Sequence, residues 1–598
     1  VAVQTENWNV ILSSFDGLQT SRNSDDLPDG KSPDLLNVRI TGSHFRGSLG
    51  YSLIGSRSSS AGSITAQYTY KRNDGEQRMV RVRDDDSTGV LEWWDATNEE
   101  WYTLITGLTT GLKMGFTEFN TSATNQMVFC NGVQNMSVWT GSTTRLTASV
   151  TATDTTINVS DTTNFPASGT IIYNGSEIAY TSKTGTTFEV ASAHASSGAD
   201  DGVAEAADDS TYSTITKGNI LLSAKDRLWI AGQLAAPNAL DYSDEGAAFI
   251  FTGGANRADS GTEDFFNIGG AITGLSEKGD EIIVIGEDGA DGFSFTYPTS
   301  TTKAPNFREI FRAVGRGCVS FKSVFKLSNE VYFATKTGIA ALSDLEGTEK
   351  VFDKSITRDV LPTLKEYAFN DASCIYFEKE SILLMSCKSD VDFPGNDTVI
   401  GLEFYRNRDG SDTFGVTKFD WPVNEFSIFE DVLYFGSSLE MNSFKGFDTY
   451  QNDGSPRNIR YATKRFNLKD PFQNKESRLI GVRGFIKDGT DIDVSVLFNA
   501  GFLGEISKTI ESTGTYVSTT TLNTIGAFAL GTNPIGATLS EVSELKEFTV
   551  FLDVGVDYNW RDIQVIFSSE TDGGTFIVSH VGFAIEEVGF ASEDQLTI

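Results

Sequence analysis

Of 598 residues only three are histidine and four are cysteine, and these two shortages narrow the chemistry first. Nucleophilic catalysis needs a serine or cysteine beside a base that a third group holds in place. His44 lies in a turn-rich N-terminal segment, His194 in an Ala/Ser-rich stretch and His580 in a terminal strand pattern. None stands as a clear partner to a nucleophile, and a lone histidine in such places is normally a surface or packing residue. The chain has no G-x-S-x-G elbow, no H-E-x-x-H and no G-x-x-x-x-G-K-[ST], which removes the commonest hydrolase, zinc-protease and P-loop readings. Cys130, Cys318, Cys374 and Cys387 are widely spread with no C-x-x-C pair. Neither a disulfide framework nor a zinc site is expected, and the thiols fit reduced, partly buried residues made in a cytoplasm. No enzyme activity, cofactor or metal is expected.

Basic charge is also short: 47 Lys and Arg face 81 Asp and Glu, a formal net charge of −34. A protein that coats DNA needs a cationic face to release counterions from phosphates, so that class is disfavoured. An acidic wall is different, because it lets a polyanion slide past without adhering. Solubility is the plainer main cause of the acidity. Runs such as Asp84-Asp85-Asp86 or Asp200-Asp201 say little in so acidic a chain, and none has the twelve-residue calcium spacing with a closing Glu. Asp572-Gly573-Gly574-Thr575-Phe576 reads as a hairpin turn. Long apolar runs are missing too: Ile282 to Ile285 is typical and far too short to cross a bilayer. No stable membrane insertion is expected. There is no basic n-region before an apolar core, and the chain begins with Val1 rather than Met, so removal of one or more leading residues is expected.

What is present is length, phenylalanine (42) and glycine (57) against little proline (12). Short Val/Ile/Phe/Tyr/Thr runs recur between Gly/Asn/Asp turns and no 3.6-residue period persists, so the fold class is all-β. Residues 63–146 read as successive hairpins, with Leu91-Glu92-Trp93-Trp94-Asp95 and Val138-Trp139-Thr140-Gly141 at equivalent ends of two units, the pattern of the first blades of a β-propeller. Residues 147–212 shift to Thr, Ser, Ala and Asp and read as a small inserted β-module. Its tail, Ala193 to Asp209, reads as a mobile linker. Residues 213–451 resume the blades, and Asp353 to Tyr367 holds the one helix expected. Residues 452–598, with long alternating strands, read as a C-terminal β-sandwich. Residues 1–62 read as an extended arm.

The arm carries the run FDGLQTSRNSDDLPDGKSPDLLNVRITGSHFRGSLGY, Phe15 to Tyr51. Later come DRLWIAG (226–232), LDYSD (240–244), DFFNIG (264–269), ITGLSEKGDEIIVIGEDG (272–289) and GRGCVSFKSVFKLSNEVYFATKTGIAAL (315–342). In that order these resemble the tail-nozzle, or packaged-DNA stabilisation, proteins of short-tailed bacteriophages, the tail tubular protein B-like family. One departure is the single basic residue, Arg46, where the family commonly has a basic pair before its Gly-Tyr. The resemblance implies a structural virion protein forming a homo-hexameric ring at the distal end of the tail tube. Such a ring would retain packaged DNA, open for ejection, and contact a tail tube or adaptor ring, tail fibres and, without sequence specificity, DNA. Its place would be the virion tail, assembled in the host cytoplasm. Leu27, Pro28, Gly30, Pro33, Leu36, Asn37, Arg46 and Tyr51 are the expected assembly-arm residues, reaching a neighbouring subunit or the ring above. Trimming residues 1–50 is then expected to abolish assembly and leave a soluble propeller. A channel gate would be bulky, with Phe249-Ile250-Phe251, Trp229 and Phe293 as undecided candidates. Two other readings stay open: a receptor- or glycan-binding tail-tip or fibre protein, and a propeller glycosidase.

Overall fold

Short β-branched and aromatic runs ending at tight turns dictate strands throughout. A computed structural model describes residues 10–590 except 59, 86, 122–123, 192–195, 197, 199–200, 209–216, 245, 247–256, 259–269, 288, 297–305, 315–316, 329, 343–356, 407–411, 467–472, 499–504, 512–544 and 554–561. The fold is all-β. Among the described residues, seven antiparallel sheets follow one another along the chain, interrupted by the inserted module. Their first strands are Ser63–Lys71, Gly115–Asn120, Ile220–Ala224, Ile272–Lys278, Phe325–Leu327, Cys374–Phe377 and Val423–Phe429. The first strand of each sheet packs against the next sheet in sequence, and the seventh packs back on the first. This closed cycle is a β-propeller whose blades meet the axis with their first strands. The two Trp-bearing runs, Trp93-Trp94-Asp95 and Val138-Trp139, both fall in third strands, Gly89–Asp95 and Ser137–Trp139.

Blade seven is completed from the far end of the sequence. Tyr51–Ile54 pairs antiparallel with Ser443–Gly446, so that the N-terminal segment supplies the fourth strand. Tyr51 fixes the register by packing edge-on to Trp421, Phe435 and Phe444, at centroid distances of 6.1, 5.2 and 5.0 Å. Gly50 must lack a side chain, since a Cβ there would lie 2.1 Å from the Gln451 carbonyl oxygen.

The rest of that segment is built into the C-terminal sandwich, which corrects the expectation of an outward arm. One sheet holds Gln473–Lys487, Leu545–Asp553 and Phe576–Phe590 together with Val10–Leu12, Val38–Ile40 and Phe45–Gly47. The facing sheet holds Ile459–Ala462, Asp491–Phe498, Glu505–Glu511 and Ile563–Ser569 together with Leu35–Leu36. The sandwich is thus made from both ends of the chain, not from residues 452–598 alone. Phe45 sits at its centre, stacked on Tyr461 at 4.0 Å and edge-on to Phe15 at 5.1 Å, and all three are fully buried. Apolar burial drives the placement: Leu27, Leu35, Val38 and Ile40 are lost to solvent within this chain, and no face of them is left for a neighbour. Leu36 pairs with Arg460, and Asn37, at φ 52°, turns the chain between the two sheets while its Nδ2 donates to the Asn458 carbonyl. Gly30 accepts from Asp16 through its carbonyl. Pro28 likewise accepts from Lys31, and Pro33 sits between the paired strands Lys31–Ser32 and Leu35–Leu36.

The inserted module is a six-stranded sheet with its own core of Leu146, Ile157, Ile171, Phe188 and Val203. It begins at Thr143 rather than at 147, and Gly202–Glu205, expected in a linker, is a central strand between Thr143–Arg145 and Gly169–Tyr173. The Ala/Asp composition hid this strand, because small residues suffice where Gly202 must pass close to Trp93 and Tyr102. The chain then returns to blade two, where Val138 and Asp208 exchange backbone hydrogen bonds. Arg145 pairs with Asp95 and docks the module on blade one. The expected helix at 353–367 reduces to a 3-10 turn, Arg358–Val360, followed by one turn of α-helix, Leu361–Leu364; residues 353–356 lie outside the described residues. No helix among the described residues is long and apolar enough to cross a membrane.

His44 is buried beside Phe45, its Nδ1 in contact with Thr41 and Ser43 hydroxyls at 3.0 and 3.1 Å. Burial first, and Arg46 second, hold its pKa down at about 4. Between pH 6.5 and 4 the unfolded chain binds this proton and the folded chain does not, so stability falls as pH drops through that window. The full effect is about 3 kcal/mol. Urea midpoints measured from pH 7 to 4.5 should therefore fall more steeply in the wild type than in His44→Asn, and equal slopes would contradict this assignment.

Candidate functional site

The first strands of the blades present alternate side chains to the propeller axis, and there they enclose a cavity of about 420 Å³. Tyr68 from blade one and Phe116 from blade two lie face to face at 5.1 Å with planes 5° apart. Phe321 and Lys322 come from a 3-10 turn, Phe321–Ser323, just before the first strand of blade five. The Lys322 ammonium sits 5.6 Å from the Phe116 ring centre and 5.4 Å from that of Phe321, an arrangement favoured by the ring quadrupoles. It is also paired with Glu425 Oε2 at 2.9 Å, both side chains being about nine-tenths buried. The Ser373 hydroxyl reaches Glu425 Oε1 at 3.4 Å. Burial raises the Glu425 carboxyl above the ordinary range, and Lys322 opposes the rise. Burial likewise pushes the Tyr68 phenol up.

Three further ion pairs stand nearby. Lys326 Nζ meets Glu277 Oε1 at 2.8 Å. Lys113 and Lys388 converge on Asp371, at 3.1 and 3.3 Å. Burial lowers the Lys113 pKa, with Asp371 working against it. Burial alone would raise Asp371, but Lys113 and then Lys388 carry it below the usual value. The lining carboxylates Glu277 and Glu425 are thus each matched to an ammonium, Lys326 and Lys322. Among the described residues, no group of three or more His, Cys, Asp or Glu is placed to hold a metal ion.

Neither Trp229 nor Phe293 lies on an axial strand. Trp229 is fully buried on the second strand of blade three, with Nε1 donating to the Ala224 carbonyl and Tyr242 at 5.2 Å. Phe293 lies on the third strand of blade four, in register with Ile282 and Glu309. Phe249-Ile250-Phe251 and His194 lie outside the described residues. His580 is exposed beside Ser579. The four cysteines are free and all but Cys374 are buried; burial pushes Cys318 up to about 11. Sequence reasoning missed Lys322, Asp371 and Glu425. The available signal was a charge set among apolar and aromatic neighbours, Phe321-Lys322-Ser323-Val324-Phe325 and Val423-Asn424-Glu425-Phe426.

No protein-family model matches the chain, and no curated protein is found as a relative. Among solved structures, a variant of an exo-β-1,3-galactanase from Phanerochaete chrysosporium, with β-1,3-galactotriose, aligns over 89% of this chain and all of its own. The identity is 10% and the TM-score 0.21. The same enzyme with galactose also aligns over 89% of this chain and all of its own, at 8% identity and TM-score 0.19. An apo ctPRC2 in an autoinhibited state aligns over 49% of this chain and 70% of its own at 9% identity and TM-score 0.21. Similarity this weak carries nothing about the activity of this chain.

Proposed function

We propose that this chain is a structural virion protein, the nozzle of a short-tailed phage, ringing the distal end of the tail tube. In this reading it retains packaged DNA, releases it at ejection, and offers a docking surface to tail fibres. The observation that supports it most is where the landmark residues go. The run from Phe15 to Tyr51, which carries the family resemblance, is the piece that locks propeller and sandwich together. A signature spent on architecture suits a protein that works by shape. The acidic composition suits passage of DNA without adhesion, and among the described residues the lining carboxylates Glu425 and Glu277 are each engaged by a lysine. Image reconstruction of the intact particle tests the proposal: six copies around the tail axis are expected, and copies off the axis or three per fibre would refute it.

One observation favours the second reading, a glycan-binding module. Stacked aromatic faces beside carboxylates and ammonium groups in the axial cavity can hold a sugar ring. Saccharide binding abolished by Phe116→Ala, with the fold intact, would move the assignment there.

A further inference from the structure

We propose that one face of the propeller docks a partner-protein segment whose apolar side chains are flanked by lysine or arginine. This inference stands apart from the nozzle reading. In each blade the turn joining first and second strands lies on one face, and the loop joining second and third strands on the other. The two faces differ in kind. On the first-turn face the connections are tight and polar: Asp74-Gly75, Lys225-Asp226, Gly279-Asp280, Ser381 and Glu430-Asp431, with positive φ at Lys225, Asp226, Ser381, Glu430 and Asp431.

On the other face, the loops present apolar tips. Among the described residues, six large apolar side chains are exposed, and five of them, Val133, Leu234, Val391, Phe393 and Leu439, sit in second-to-third-strand loops of blades two, three, six and seven. Leu234 is 83% and Val391 68% exposed. Scattered single apolar residues need no explanation, but a set confined to one face does.

These loops also touch one another. A Cβ on Gly395 of the blade-six loop would lie 2.8 Å from the Ser438 carbonyl of blade seven, and the Ser438 hydroxyl donates to the Asn396 carbonyl. Val391, Phe393 and Leu439 therefore crown two joined loops. Across the ring, Gly132 of blade two lies 3.6 Å, measured from an added Cβ, from the Gly232 carbonyl of blade three, and joins the loops of Val133 and Leu234.

Charge decides the occupant. Asp390 and Asp392 alternate with Val391 and Phe393 along the blade-six loop, and Asp85 occupies the corresponding loop of blade one, while Glu440 after Leu439 is paired with Arg57 at 3.5 Å. A second copy would set the same carboxylates against these, and an anionic lipid surface would be repelled as well. A segment with apolar knobs between cationic residues satisfies both features.

The test uses the full chain and two synthetic helical peptides, one of leucine and lysine and one of leucine and glutamate, followed by fluorescence anisotropy. The lysine peptide should bind, and affinity should fall about tenfold or more in V391S/F393S and in L439S, and similarly in D390K/D392K. These side chains are exposed, so the fold should be kept. E430K/D431K, on the opposite face, should change affinity less than about twofold, which separates a docking face from attraction to bulk charge. Equal losses on both faces, equal binding of the glutamate peptide, self-association cured by L439S, or preferential binding to phosphatidylglycerol vesicles would each overturn the proposal.

Discussion

A chain lacking residues 1–54 should not fold cooperatively. The cut removes the fourth strand of blade seven, three strands from one sandwich sheet and one from the other. It also strips Phe15, Leu18, Leu35, Val38, Ile40 and Phe45 from the core, each at most 4% exposed. Burying such a side chain is worth about 1.5–3 kcal/mol. Even discounted for a compact unfolded state, six of them approach the roughly 5–15 kcal/mol that separates folded from unfolded in a typical domain. The remaining strands would present raw edges at Ser443–Gly446 and Phe576–Phe590, which invite aggregation. Circular dichroism in urea should show no sharp transition, and residues 1–54 added as a separate peptide should restore one. A soluble monomer with a single steep transition would contradict this, and would favour the independent propeller that the sequence suggests.

The second large effect is expected at Arg39. Its guanidinium leaves the sandwich strand Val38–Ile40 and meets Glu403 Oε1 at 2.9 Å and Glu380 Oε2 at 3.0 Å, with Phe447 beneath it at 5.0 Å. Glu403 lies on the third strand of blade six, so this cluster ties sandwich to propeller. Glu403 is 3% exposed and also accepts from the Ile40 amide. Burial pushes its carboxyl up, and Arg39 is the largest influence holding it down. Arg39→Ala leaves that charge inside without its partner, at a cost of about 3–5 kcal/mol. Arg39→Met with Glu403→Leu removes both charges together and should recover most of the loss. Urea denaturation of the two variants beside the wild type checks both statements. A single variant within about 1 kcal/mol of wild type would show that the pair is not desolvated as described.

The blades were legible because their information is local. Polar turns such as Lys225-Asp226 and Gly279-Asp280 mark hairpins, and alternation in Ile492 to Phe498 marks a half-buried strand. The module was legible for the same reason, apart from Gly202–Glu205, whose small residues carry no strand signature. Closure was not legible. Tyr51–Ile54 falls in the stretch that reads as an extended arm, and nothing in it names Ser443–Gly446, nearly four hundred residues away, as its partner. The short strands Leu35–Leu36, Val38–Ile40 and Phe45–Gly47 fall below the length at which alternation can be recognised, so turn residues dominate the segment and it reads as an extended arm. On the axis, Lys322 and Glu425 sit in separate apolar runs, and their pairing exists only once the ring has closed.

Hydrogen–deuterium exchange at Tyr51–Ile54 reports whether the N-terminal segment supplies the outer strand of blade seven. If it closes blade seven, its amides should be protected together with those of Ser443–Gly446, and both should lose protection together in Gly50→Ala, where backbone stands in the way of the added methyl. Exchange at the rate of an open coil in the wild type, while Ser443–Gly446 stays protected, would contradict the account.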